Sequence, residues 1–178
     1  ISLAPDFLSG TAPKGGDTAD YPNSDAARTG IYSLDPTKIN ATLIASVAYA
    51  KSIPSGNGKV VVIGFCWGGS QSFNFATLSN EIEAAIVCYG SGPENQAAYK
   101  NIQVPVYGFY GGNDNRVNAS LPASVNAMIE ANLIFEPIIY EGAGHGFFRA
   151  GESADASQAN IKARTQGLER LRIILENL

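Results

Sequence analysis

Cys66 sits in the stretch VVVIGFCWGGSQS, after four apolar residues and between Gly64 and Gly68. The pattern G-x-C-x-G-G is that of a nucleophile elbow, with sulfur in place of the usual serine oxygen. Such an elbow is a sharp strand-to-helix turn that holds the nucleophile in strained backbone. Side chains two positions to either side would collide, and Gly64 and Gly68 remove them. The helix that follows aims its N-terminus at the sulfur, which is expected to lower the thiol pKa and stabilise an anion. The Trp67 N–H is then placed to donate to an oxyanion. Taken alone, the same turn also suits a cysteine that only packs.

Two further residues complete a possible relay. His145 is the single histidine of the chain and lies in GAGHGFF, flanked by Gly144 and Gly146. A lone histidine commonly serves packing or the surface. Here the glycines allow another loop to approach closely, and a neutral imidazole is the usual base for a thiol nucleophile. Asp114 lies in YGGNDNRV, after two turn glycines. A turn aspartate ordinarily makes Asx hydrogen bonds. Beside a histidine it would orient the imidazole and hold its tautomer. The chain order of nucleophile, acid and histidine is that of the α/β-hydrolases.

The elements that must position these residues follow from patterning. Short apolar runs at 59–65, 83–89, 104–110 and 136–140 read as buried strands, and residues 1–4 as a further short strand ended by Pro5. Helices are expected over 24–31, from Pro36 to about Ile53 with Asp35 as N-cap, directly after Cys66, over 121–131 and over 157–177. In the last of these, Ile161, Leu168, Leu171 and Ile174 are expected to share the buried side. Residues 9–35 read as a long loop, of the kind that is usually functional or flexible. Strands that do not alternate, separated by helices, indicate a mostly parallel sheet with helices on both faces. Cys66, Asp114 and His145 each follow a strand, so all three fall on one sheet edge.

Composition excludes several classes. The chain has 178 residues, 45% apolar and 16% charged, with a net charge of −4. That is enough for one globular domain over 1–178 and argues against nucleic acid as a partner. No apolar run approaches the ~20 residues that cross a bilayer, so no membrane partner is expected. One histidine and no Cys-x-x-Cys leave too few ligands for zinc, and no phosphate-cradling glycine loop is present, so neither metal nor cofactor is expected. Cys88, in the apolar run AAIVCYG, reads as a core residue. Two free thiols fit a reducing compartment, so the cytoplasm is the expected location, with an exported form left open.

With GFCWGG, YGGNDNRV and GAGHGFF in hand, and with APDFLSG and SGNGKVVVIG beside them, the chain resembles the dienelactone hydrolase (carboxymethylenebutenolidase) family. The resemblance implies an α/β-hydrolase fold and cleavage of a lactone or ester through a covalent thioacyl intermediate. Cys66 would be the nucleophile, His145 the base and then acid, and Asp114 the orienting carboxylate. It also implies an arginine that holds a carboxylate on the small-molecule substrate, with Arg149 in one matching position and Arg28 a second candidate. Trp67, Phe147 and Phe148 would form apolar walls, or equally could serve packing. In the family, a loop after an early strand supplies a glutamate near the thiol and a second oxyanion donor. The similarity here starts beyond that region, so the expectation is a domain lacking its N-terminal strands. Two other readings stay open: a catalytically silent binder of a small acidic ligand, and a redox protein pairing Cys66 with Cys88.

Overall fold

The computed structural model describes all residues from Ile1 to Leu178. Their backbone groups into two compact units, Ile1–Lys59 and Val60–Leu178.

The first unit is helical. Residues 1–4, expected as a strand, are not one, and this unit contains no strand for them to pair with. Asp6 ties the loop that follows. Its Oδ1 accepts from the Leu8 N–H at 3.0 Å and the Thr18 hydroxyl at 2.5 Å, and its Oδ2 from the Thr18 N–H at 3.1 Å. The Thr18 hydroxyl, more than any other donor, holds the Asp6 carboxyl below its ordinary pKa. Helix α1 spans Ser24–Tyr32, with the Asn23 Oδ1 accepting from the Ala26 N–H at 2.8 Å. Helix α2 spans Pro36–Ser52 and starts as its sequence dictates. The Asp35 carboxylate accepts from the Thr37 N–H at 2.8 Å, and Pro36 occupies the first turn. Ile39, Leu43 and Val47 form its buried stripe.

The second unit is a parallel α/β layer structure. Its strands are β1 (Val61–Phe65), β2 (Ala84–Cys88), β3 (Val106–Gly111) and β4 (Phe135–Tyr140), paired in parallel in that order. Strands wound in sequence by right-handed crossovers send all their connecting helices to one face. Helix α3 (Trp67–Ala76) lies there, with the Ser72 hydroxyl donating to the Val62 carbonyl at 3.0 Å. Phe73 of α3 packs edge-on to Tyr99. The Tyr99 hydroxyl in turn shares a buried 2.8 Å hydrogen bond with Ser124 of α5 (Leu121–Glu130). Two short helices, α4 (Asn115–Asn118) and α6 (Phe147–Ala150), sit in loops beyond β3 and β4.

Helix α7 (Gln158–Glu176) follows the last strand and covers the opposite face. There Ile86, Cys88 and Phe109 join Ala163, Ile174, Phe147 and Phe148 in one buried cluster. The Arg170 guanidinium lies 4.4 Å over the Phe109 ring and donates to the carbonyls of Gly108 and Glu136, each at 2.7 Å. The buried stripe of α7 differs from the expected one. Ala163, Gly167 and Ile174 are buried, whereas Ile161 and Leu168 are exposed. A Cβ on Gly167 would come within 2.7 Å of the Phe148 ring, so the contact selects a residue without a side chain. Hydrophobicity alone cannot reveal that choice.

The elbow also uses its glycines differently. A Cβ on Gly64 would overlap the carbonyl of Gly68, and one on Gly69 would lie 2.7 Å from the Cys88 carbonyl. A Cβ on Gly68 would meet open space. The close approach of β1, β2 and α3 thus depends on Gly64 and Gly69, not on Gly68. Gly64→Ala is expected to destabilise the protein by about 3 kcal/mol or more, because a backbone carbonyl cannot give way. Gly68→Ala, inside a helix, is expected to leave stability unchanged or raise it by about 0.5–1 kcal/mol. Urea denaturation of the two variants checks the contrast.

Candidate active site

The strand ends deliver three side chains to one sheet edge. Cys66 follows β1 directly and adopts φ 54° and ψ −118°, in the left-handed half of backbone space that non-glycine residues avoid. Two hydrogen bonds hold it there. Its N–H donates to the Cys88 carbonyl at 3.0 Å, and its carbonyl accepts from the Ser70 N–H at 3.2 Å. Trp67 supplies the first amide of α3.

Asp114 lies in the loop after β3 and is buried. Each of its oxygens has a separate task. Oδ1 accepts from the Val117 N–H at 3.3 Å and caps α4. Oδ2 accepts from Nδ1 of His145 at 2.5 Å. The Asx role and the orienting role, alternatives in the sequence, are both filled. The other ring nitrogen of His145, Nε2, lies 3.1 Å from Sγ of Cys66. In the neutral imidazole, a proton on Nδ1 facing the carboxylate leaves the Nε2 lone pair facing the sulfur.

Pattern reasoning missed what aligns these loops. Asn113 clamps the aspartate loop to the histidine loop: its Nδ2 donates to the Gly142 carbonyl at 3.0 Å and its N–H to the Ala143 carbonyl at 2.9 Å. Asn160 of α7 accepts the Gly144 N–H at 2.9 Å. Asn113 stands beside Asp114 in YGGNDNRV, so its position was visible. Its partners were not, because they lie in another loop.

The electrostatics correct one expectation. The Cys66 thiol lies above its ordinary pKa, not below it. Burial is the largest cause. Arg149 and then Arg116 pull the other way, and Asp114 adds to the rise. The net direction at this sulfur is therefore opposite to the lowering expected from the helix that follows it. Cys88 is a buried free thiol, which burial drives far above its normal range. It belongs to the α7-side cluster and is a poor redox partner.

The profile of the dienelactone hydrolase family matches residues 1–177. The chain belongs to this family. The carboxymethylenebutenolidase of Pseudomonas putida is 30% identical over 175 residues, covering 96% of this chain and 72% of that one. Aligned stretches span from 39% to 72% of the length of the first curated relatives. Two solved structures share the fold. One is a dienelactone hydrolase-like promiscuous phosphotriesterase from metagenomic libraries, with TM-score 0.74, 19% identity, and coverage of 89% of this chain and 69% of that one. The other is an α/β-hydrolase enzyme from a Medee basin deep-sea metagenome library, with TM-score 0.61, 17% identity, and coverage of 79% and 64%.

The remaining residues implied by the dienelactone hydrolase resemblance are placed as follows. Arg149 is exposed on α6, in the loop region that carries His145, and its charge reaches the Cys66 sulfur. A cavity of about 620 Å³ beside it is lined also by Ser153, Asp155, Ser157 and Asn160, but by neither Cys66 nor His145. Arg28 lies on α1, exposed, and pairs with Asp25 at 3.1 Å. Phe147, expected as a substrate wall, has no exposed surface. It packs between Tyr89, Tyr140 and Phe148, so its role is in the core. Phe148 is likewise buried.

The opposing charges on the sulfur give a titration test. Arg149→Gln removes the larger of the two influences that favour the thiolate. The pH midpoint of Cys66 alkylation by iodoacetamide is expected to move upward, with slower alkylation at a given pH below it. Arg116→Gln is expected to do the same to a smaller extent. Thermal midpoints should be unchanged, because both side chains are exposed.

Proposed function

We propose that this chain hydrolyses a small ester or lactone bearing a carboxylate, through a thioacyl intermediate on Cys66. The observation that carries this reading is the aligned relay, with Sγ 3.1 Å from Nε2 and Nδ1 2.5 Å from the Asp114 carboxylate. Hydrogen-bond distances at both junctions are what nucleophilic catalysis requires. A silent binder has no need of them.

The steps follow from the geometry. As Sγ attacks the carbonyl carbon, Nε2 takes the thiol proton, and the carbonyl π pair moves onto oxygen. Asp114 steadies the imidazolium through Nδ1. The amide of Trp67, at the N-terminus of α3, donates to the oxyanion. Collapse of the intermediate breaks the C–O bond, and His145 returns the proton to the leaving oxygen. In a lactone that oxygen stays tethered to the acyl group. Water then attacks the thioester carbonyl while Nε2 takes its proton. Expulsion of sulfur releases the acid and restores the thiol. The cycle uses no metal or cofactor.

The geometry supports this order of events, because Nε2 lies 3.1 Å from Sγ and can take the thiol proton as the carbon–sulfur bond forms. The exposed Arg149 guanidinium is the group we assign to the substrate carboxylate, for which its planar fork is suited.

Cys66→Ala is expected to lower turnover of small enol-lactones and aryl esters by about 10³-fold or more, with the fold intact. Mass spectrometry of the unmodified protein, quenched during turnover, should find the acyl group on Cys66. A variant that keeps full activity would overturn the assignment.

A further inference from the structure

Tyr89, like Cys66, is a non-glycine residue held in left-handed backbone, with φ 43°. It follows β2 directly, so it emerges at the same sheet edge as Cys66, Asp114 and His145. Its backbone is pinned on both sides. The Tyr89 N–H donates to the Phe109 carbonyl at 2.8 Å, and the preceding carbonyl, on Cys88, accepts the Cys66 N–H at 3.0 Å. The strained turn is therefore bonded to the peptide of the nucleophile itself. Gly90, next in the chain, lies so close to Ser70 of α3 that a Cβ there would overlap its amide.

The consequence is the direction of one ring. Tyr89 packs against the His145 imidazole at 5.2 Å between centroids and 60° between planes. Behind it, Phe147 lies at 5.5 Å, Phe65 at 6.1 Å and Phe148 at 6.2 Å, so the phenol ring has no room to swing. The His145 side chain, by contrast, is 36% exposed and sits on a glycine-flanked loop. Its two nitrogens are fixed by hydrogen bonds, but hydrogen bonds from ring atoms leave rotation about the Nδ1–Nε2 direction to be opposed by packing. Tyr89 supplies an aromatic surface for that task. Burial raises the pKa of its hydroxyl above the ordinary range, so it brings no charge to the site.

We propose that Tyr89 is a positioning residue, whose strained backbone presses a fixed ring against His145 and keeps the imidazole in line between Asp114 and Cys66. It does not touch the reacting atoms. The proposal deepens the hydrolase reading, and part of its test is independent of that reading.

The test compares Tyr89→Phe with Tyr89→Leu, which removes the ring and retains an apolar side chain. Three readouts are taken on the full chain. The first is alkylation of Cys66 by iodoacetamide at neutral pH. The second is the ring signal of His145, which is unambiguous because the chain has a single histidine. The third is the split between kcat and KM on an aryl ester. Tyr89→Leu is expected to lower the alkylation rate and kcat together by about tenfold to a hundredfold, the range for small misplacement of a reacting group. KM should stay within twofold, and the His145 ring signal should lose its contacts to residue 89. Tyr89→Phe is expected to restore all three. If Tyr89→Leu does not fold, Tyr89→Met carries the same test, since a flexible thioether fills irregular space. A folded, ring-less variant with alkylation and kcat within twofold of the parent would overturn the proposal. If the parent itself shows no turnover, the hydrolase reading fails, while alkylation and the ring signal still decide the role of Tyr89.

Discussion

The site depends on one backbone constraint, the left-handed turn at Cys66. A cysteine does not adopt φ 54° unprompted. The conformation persists because β2 accepts its N–H, α3 donates to its carbonyl, and two glycines let strand and helix meet without side chains between them. Relaxing that turn would carry the sulfur away from His145. The parallel register matters for the same reason. Phe65 pairs with Cys88, Cys88 with Phe109, and Gly111 with Tyr140, so the loops that carry chemistry leave the sheet along one edge.

Once the sulfur is fixed, the other two groups are brought to it by loops tied to each other. Asn113 joins the aspartate loop to the histidine loop, and Asn160 ties the histidine loop to α7. These bonds hold the two glycine-rich loops at hydrogen-bond distance from the elbow. The charge balance at the sulfur is similarly divided. Burial raises the thiol pKa, and Arg149 and Arg116 offset part of that effect. A thiol poised this way needs its histidine, which agrees with a relay whose members are all within hydrogen-bond reach.

Much of this was legible in the sequence. The apolar runs marked the four strands to within about two residues, and Asp35-Pro36 marked the start of α2 because cap and proline act locally. Cys66, Asp114 and His145 stood out because each follows a strand in a glycine-rich turn. The errors fall where local pattern and tertiary contact part. Residues 1–4 are apolar enough for a strand but have no partner strand in their unit. Ile161 and Leu168 fit a helical stripe, yet α7 turns Ala163 and Gly167 inward to receive Phe148. Phe147 looked like a pocket wall from its place beside His145, but its ring is drawn into the core. The thiol pKa of Cys66 was expected to lie below its ordinary value, and burial raises it.

The sequence by itself determined the candidate nucleophile, acid and base, their order along the chain, and the family to which the chain belongs. Those features reside in residue types and short spacings. Only the tertiary structure decided which elbow glycine is indispensable, how Asn113 and Asn160 align the loops, and that Tyr89 lies against the imidazole. Apart from the approach of Gly64 to Gly68 within the elbow, these are contacts between segments far apart in the chain. They exist because parallel strands in register bring those segments to one edge, and no local pattern encodes that distance.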